Sequence, residues 1–136
     1  MLQTIVHYSL HFVVIGAIAY FYDKKNWKRY WLILLSTMLV DVDHVFADPL
    51  FDPNRCGIGY HPLHSGIPII IYFLGAVFVK NSIIRLIFIG LLFHMFTDFI
   101  DCLWMFSYCE ECYVSSEIYK WFNFLLQFQQ GHLAPQ

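Results

Sequence analysis

Residues 83–106 read IIRLIFIGLLFHMFTDFIDCLWMF. Arg85 is the only charge before Asp98, and the run is long enough to cross a hydrocarbon core of about 30 Å, which needs about 20 helical residues. It is too long for a buried strand and lacks the alternating polarity of a barrel strand. A helix satisfies its own backbone groups, so helix is the expected state.

Three further runs share this character: residues 5–22, 30–46 and 61–82, the last with its apolar body at 66–79. Composition agrees. Of 136 residues, 59% are apolar and only 13% are Asp, Glu, Lys or Arg, against about 25% in soluble domains. That is too little charge to cover a soluble globule and too much apolar surface for disorder. A soluble helical core is set aside because four such runs occur in so short a chain. A signal peptide is not expected either, because the start lacks a basic region and a small-residue cleavage site. A net charge of −2 with dispersed basic residues argues against a nucleic-acid partner.

Basic residues set an expected orientation. Asp23-Lys24-Lys25-Asn26-Trp27-Lys28-Arg29 follows the first run, and Lys80 and Arg85 flank the third connection. Residues 47–60 carry only Arg55 and the tail only Lys120. The positive-inside rule puts the basic connections in the cytoplasm and both termini outside it, in an inner or plasma membrane. Past 106 the chain turns polar, and 118–128 is apolar but carries Lys120, Asn123 and Gln127. It suits an amphipathic helix at the outer interface. The expected architecture is all-α: a four-helix transmembrane domain over 1–106, and an extracytoplasmic tail over 107–136 bearing an interfacial helix.

Ionisable residues inside such runs are functional candidates. At about 1.5 Å per residue, His94, Asp98 and Asp101 lie about 17, 23 and 27 Å from the inner end of their run, and Asp41 and His44 about 17 and 21 Å from theirs. His7 and His11 lie near the outer end of the first run, and His61 and His64 lead into the third. All gather in one outer layer. At about 100° per residue, His94, Asp98 and Asp101 share an arc of about 60°, Asp41 and His44 share a face, and Asp43 points elsewhere unless the helix unwinds. Imidazole with carboxylate suits zinc, manganese or iron(II), with one or two divalent ions. His11 reads as a packing residue, Asp48 and Asp52 as turn residues beside prolines, and His132 carries no signal.

In order, these residues form a pattern: His7; Asp41-Val42-Asp43-His44; His61-Pro62-Leu63-His64-Ser65; and His94-Met95-Phe96-Thr97-Asp98. This resembles the membrane-bound metal-dependent hydrolases of the YdjM-like family, and more narrowly a short set of relatives without assigned function. The resemblance covers about residues 1–101. Pro62-Leu63 stands where the larger family has His-Arg followed by Thr-His-Ser. The resemblance implies a metal site formed by His and Asp residues and a hydrolase activity.

Cys56, Cys102, Cys109 and Cys112 all fall on the expected outer side. Disulfides are preferred over a thiolate zinc site, with three pairings open, among them Cys56–Cys102 with Cys109–Cys112. The functional expectation is a membrane metallohydrolase cleaving an ester or phosphoester, with a lipid head group as the natural substrate. Asp41, His44, His64, His94 and Asp98 are the expected ligands, zinc the preferred metal, His7 and His61 ligands or their supports, and Asp43 or Asp101 the general base. Ser65 is a weak nucleophile candidate. The alternative is a metal-binding or ion- and proton-transport module, which the apolar inner halves 31–35 and 86–91 disfavour. A haem bundle fits less well, because carboxylates crowd both candidate histidines.

Overall fold

The computed structural model describes residues 2–48 and 55–131. Asp52 with its flanking prolines, and His132 with the rest of 132–136, lie outside the described residues. No strand occurs among the described residues, and every regular element is helical.

Helix α1 runs Leu2–Tyr22 and is interrupted by a wide π-turn at Leu10–Val14. The interruption has a side-chain partner. The Trp31 indole donates to the Phe12 carbonyl at 3.1 Å, and its ring lies over Gly16, where a Cβ would sit 3.4 Å from Nε1. Asp23 then closes the turn to the next helix, accepting from the backbone of Lys25 and Asn26 and from the Asn26 amide. These hydrogen bonds, the Asn26 side chain first, hold its carboxyl below the usual range.

Helix α2, Trp27–Leu35, continues without a break as a 3₁₀ helix over Ser36–Phe46. The change begins where Ser36 and Thr37 hydroxyls donate back to the Ile33 and Leu34 carbonyls, each at 2.6 Å. Such back-bonding loosens an α-ladder. The buried residues of this stretch are Thr37, Val40 and Asp43, the spacing of three that a threefold helix requires. Helices α3, Gly66–Phe78, and α4, Ser82–Phe106, form a tight hairpin in which a Cβ on Gly75 would collide with the Phe88 ring. The side chain of Asn81 caps α4, accepting from the backbone of Ile83 and Ile84. Helices α5, Glu110–Ser115, and α6, Glu117–Gly131, follow.

The expectation of four spanning helices is met only in part. Among the described residues, two helices are long and apolar enough to cross a membrane, α1 and α4. The second run changes to 3₁₀ geometry midway, and α3 has 13 residues, a rise of about 20 Å. The shortness of α3 has a structural reason. The segment before it dips into the bundle to deliver His64 opposite His94, and Ser82 to His94 on α4 covers about 18 Å, nearly the length of α3.

The apolar core is small. Ile15 and Ala19 of α1, Leu34 of α2 and Leu86 of α4 are each 0–1% exposed. Large apolar side chains such as Phe21, Leu39, Phe46, Ile67 and Phe78 face outward instead. Disulfides join Cys56 to Cys102 and Cys109 to Cys112. The first, with Cα atoms 5.2 Å apart, fastens the segment before His61 to α4.

Candidate metal centre

Four side chains from three parts of the chain converge above the apolar core. Asp41 comes from the 3₁₀ stretch, His64 from a short turn at Pro62–His64, and His94 and Asp98 from one face of α4. His94 Nε2 lies 3.0 Å from Asp41 Oδ1 and 3.2 Å from Asp98 Oδ2. His64 Nε2 lies 3.3 Å from each of the same two oxygens. All four atoms fall within 4.8 Å of one another. A tetrahedral shell with bonds of about 2.0 Å has edges of about 3.3 Å. The four atoms therefore enclose a space of the size a first-row divalent ion occupies.

His64 is completely buried, and its Nε2 has no hydrogen-bond partner. Its other nitrogen is held. Nδ1 lies 3.1 Å from Asp43 Oδ2, and that oxygen also accepts from the Leu63 backbone at 2.7 Å. A carboxylate behind a histidine fixes the ring and leaves the far nitrogen free to ligate. The turn is pinned further by Tyr72, whose hydroxyl donates to the Leu63 carbonyl at 3.2 Å. Two imidazoles and two carboxylates suit zinc, manganese or iron(II).

The remaining candidates are distributed around this centre. Asp43 is 3% exposed, and its other oxygen lies 3.1 Å from His44 Nδ1. Both of its oxygens are thus engaged, one by His64 and the Leu63 backbone and the other by His44. It reaches the interior because 3₁₀ winding places it in line with Thr37 and Val40. His44 groups with Asp43 and His64 at the half-exposed mouth beside Asp41. His61 is buried but belongs to none of the ligand groups among the described residues. Its ring stacks on His44 with centroids 3.7 Å apart.

Asp101 stands higher on α4. It accepts from the Gln3 amide at 2.9 Å and lies 3.9 Å from His7 Nδ1. With Gln3, Thr4, His7 and Tyr8 it lines a cleft of about 170 Å³. His11, set aside as a packing residue, is 1% exposed. Its Nε2 is 3.8 Å from Asp98 Oδ1 and its ring centroid 4.5 Å from that of His94. The signal in the sequence was the spacing His7-x-x-x-His11, two imidazoles on one helical face.

Fold and site together define a class: an all-helical protein with two helices of spanning length and an interior His/Asp cluster that could hold a metal ion. The chain belongs to the family of unknown function DUF6122, which matches residues 1–105. No curated protein and no solved structure matches it. The match takes in the whole cluster from His7 to Asp101 and ends before Cys109. It bears out membership of a family without an assigned function. No match connects the chain to the YdjM-like hydrolases.

Proposed function

We propose that this protein is an integral membrane metal-dependent hydrolase acting on an ester or phosphoester, such as a lipid head group. The observation that carries the reading is the shell of Asp41, His64, His94 and Asp98, with Asp43 behind His64. A divalent metal held there supplies Lewis acidity toward the substrate oxygen and lowers the pKa of water. The chain's own residues do the rest. Asp43 keeps His64 in the orientation that presents Nε2. The half-exposed pair Asp41 and His44 forms the mouth through which substrate approaches. Asp101, partly open on the cleft beside His7, takes the proton from the attacking water. It is preferred to Asp43 as the base because its side chain reaches the cleft and solvent, whereas both oxygens of Asp43 face histidines.

Membrane placement is supported by the inverted distribution of side chains. His11, His61, His64, His94 and Asp43 are inside, while Phe21, Leu39, Phe46 and Ile67 face out, and exposed apolar patches of that kind mark a membrane or partner. A 3₁₀ helix rises about 2.0 Å per residue, so 27–46 would reach about 35 Å in all and could cross as well. Lys24 and Lys28 lie over Tyr20 and Trp27, an arrangement suited to the cytoplasmic interface. The site and both disulfides then face the oxidising side, and α6, with Trp121, Phe122, Phe124 and Leu125 exposed, lies on the outer interface. A transport role is opposed by the apolar packing of Ile15, Ala19, Leu34 and Leu86 beneath the site.

The test is metal content by mass spectrometry on detergent-purified protein, with His94→Ala and Asp98→Ala at matched folding quality, followed by a phosphoester screen. Stoichiometric zinc, manganese or iron that both variants lose, with metal-dependent turnover, is expected. Absence of metal after supplying these ions would overturn the reading.

A further inference from the structure

A second cluster lies on the opposite side of Asp98. His7, His11 and Asp98 offer three ligand atoms within 4.8 Å of one another. His11 is the decisive member. It is 1% exposed, yet neither of its ring nitrogens has a hydrogen-bond partner. A buried polar group left unpaired costs about 1–3 kcal/mol, so an interior imidazole with two idle nitrogens calls for something that the protein atoms do not provide. His7 Nδ1 is idle in the same way.

The backbone supports the same assignment. His11 sits inside the π-turn Leu10–Val14, and single π-turns within α-helices are concentrated at functional sites. Asp98 divides its oxygens between the two clusters. Oδ2 faces His64 and His94, and Oδ1 faces His11 at 3.8 Å. A carboxylate with one oxygen toward each of two histidine pairs has the form of a bridging ligand. Asp101 lies 3.9 Å from His7 Nδ1, beyond hydrogen-bonding distance.

We infer that His7, His11 and Asp98 form a second divalent-metal position, joined to the first through the Asp98 carboxylate. This deepens the proposed function and rests on its metal centre, since Asp98 serves both positions. With three protein ligands the second position keeps open coordination sites, the pattern of catalytic rather than structural centres. It also borders the 170 Å³ cleft at Gln3, Thr4, His7, Tyr8 and Asp101. Paired ions of this kind clamp the attacking and leaving oxygens of phosphoryl transfer, so a phosphoester becomes the favoured substrate class.

The experiment uses the full chain in detergent, stripped and reloaded with zinc alone or manganese alone. Metal per chain is read by mass spectrometry, and the manganese form by electron paramagnetic resonance at low temperature. Two equivalents in wild type and one in His11→Ala are expected. The spin-coupled manganese spectrum of wild type should give way to the six-line spectrum of an isolated ion. Where His11→Ala fails to fold, His7→Ala makes the same test at a less buried position. One equivalent in wild type that His11→Ala retains would overturn the second position and leave the first standing. Two equivalents in His11→Ala would overturn it too, as would loss of all metal there. No metal in wild type would overturn both positions together.

Discussion

Two regions of this bundle are equally buried and chemically opposite. The lower one packs Ile15, Ala19, Leu34 and Leu86, and the upper one packs His11, His64 and His94, all at 0–1% exposure. Helices α1 and α4 supply both, with one or two turns between them, while α2 adds Leu34 below and the Pro62–His64 turn adds His64 above. The lower region needs only shape, because its atoms lose nothing by leaving water. The upper region needs partners for every polar atom, and the protein provides only some of them. His64 is held on one side by Asp43, whereas both nitrogens of His11 and one each of His7, His64 and His94 are left over. The lower region is complete as folded, and the upper one keeps ring nitrogens without a protein partner.

The sharpest way to break that contrast is Asp98→Ala. Asp98 lies beside His11, His64 and His94, so its loss takes a carboxylate from three imidazoles at once. Removing one partner from a buried charged group costs about 3–5 kcal/mol. We expect metal content to fall to background and the unfolding midpoint to drop, with the drop largest in the metal-loaded sample. A variant that keeps its metal would show that the upper region does not depend on Asp98.

Leu34→Ala makes the complementary cut. Large-to-small changes in cores cost about 2–5 kcal/mol, and in lipid only the packing part is lost, so the cost should be near the lower end, about 2 kcal/mol. Thermal unfolding in detergent reads this. Metal stoichiometry below the transition should match wild type, because Leu34 shapes the region beneath the site without contributing to it.

Gly90→Ala tests the boundary between the two. A Cβ there would come within 2.8 Å of Thr37 Cγ2 and 2.9 Å of Leu34 Cδ2. Overpacking costs about 1–3 kcal/mol, and α2 must move away from α4 to relieve it. Gly90 is one turn below His94, so the movement carries Asp41 away from His94. Metal affinity should weaken by about tenfold, one step of 1.4 kcal/mol, while the melting point shifts less than in Leu34→Ala. Titration with zinc against a competing chelator separates the two effects.

How much of this could be read from the sequence depends on helix winding. The long apolar runs mark the helices, and His94 and Asp98 converge because α4 keeps regular α geometry throughout. Asp41 and His44 also pair as read, since a spacing of three shares a face in either kind of helix. Asp43 was misplaced because the 100° rule does not apply to a 3₁₀ helix. Only a step near 120° lines it up behind Thr37 and Val40. The Ser36-Thr37 pair, with its back-bonding hydroxyls, was the available cue. The surroundings of His11 were hidden for a different reason. A π-turn absorbs an extra residue and rotates all that precedes it, and its side-chain partner is Trp31, distant in sequence. The short α3 was hidden as well, because an apolar run does not show where the chain before it folds back into the bundle.

The smallest effect should come from Trp31→Phe, and it reaches the comparison through the backbone. Trp31 spans both regions: its ring lies over Gly16 beside the apolar core, and its indole donates to the Phe12 carbonyl inside the π-turn. Phenylalanine keeps most of the ring packing and removes the donor. A single hydrogen bond contributes about 0.5–1.5 kcal/mol, so the melting point should fall by only a few degrees. The Phe12 carbonyl, without that donor, favours a return to the regular α-ladder, which would turn His7 and His11 away from Asp98. We therefore expect the ion at Asp41, His64, His94 and Asp98 to remain and the ion at His7 and His11 to bind more weakly. A titration in which both ions weaken equally would place the role of Trp31 in the packing of the bundle rather than in the π-turn.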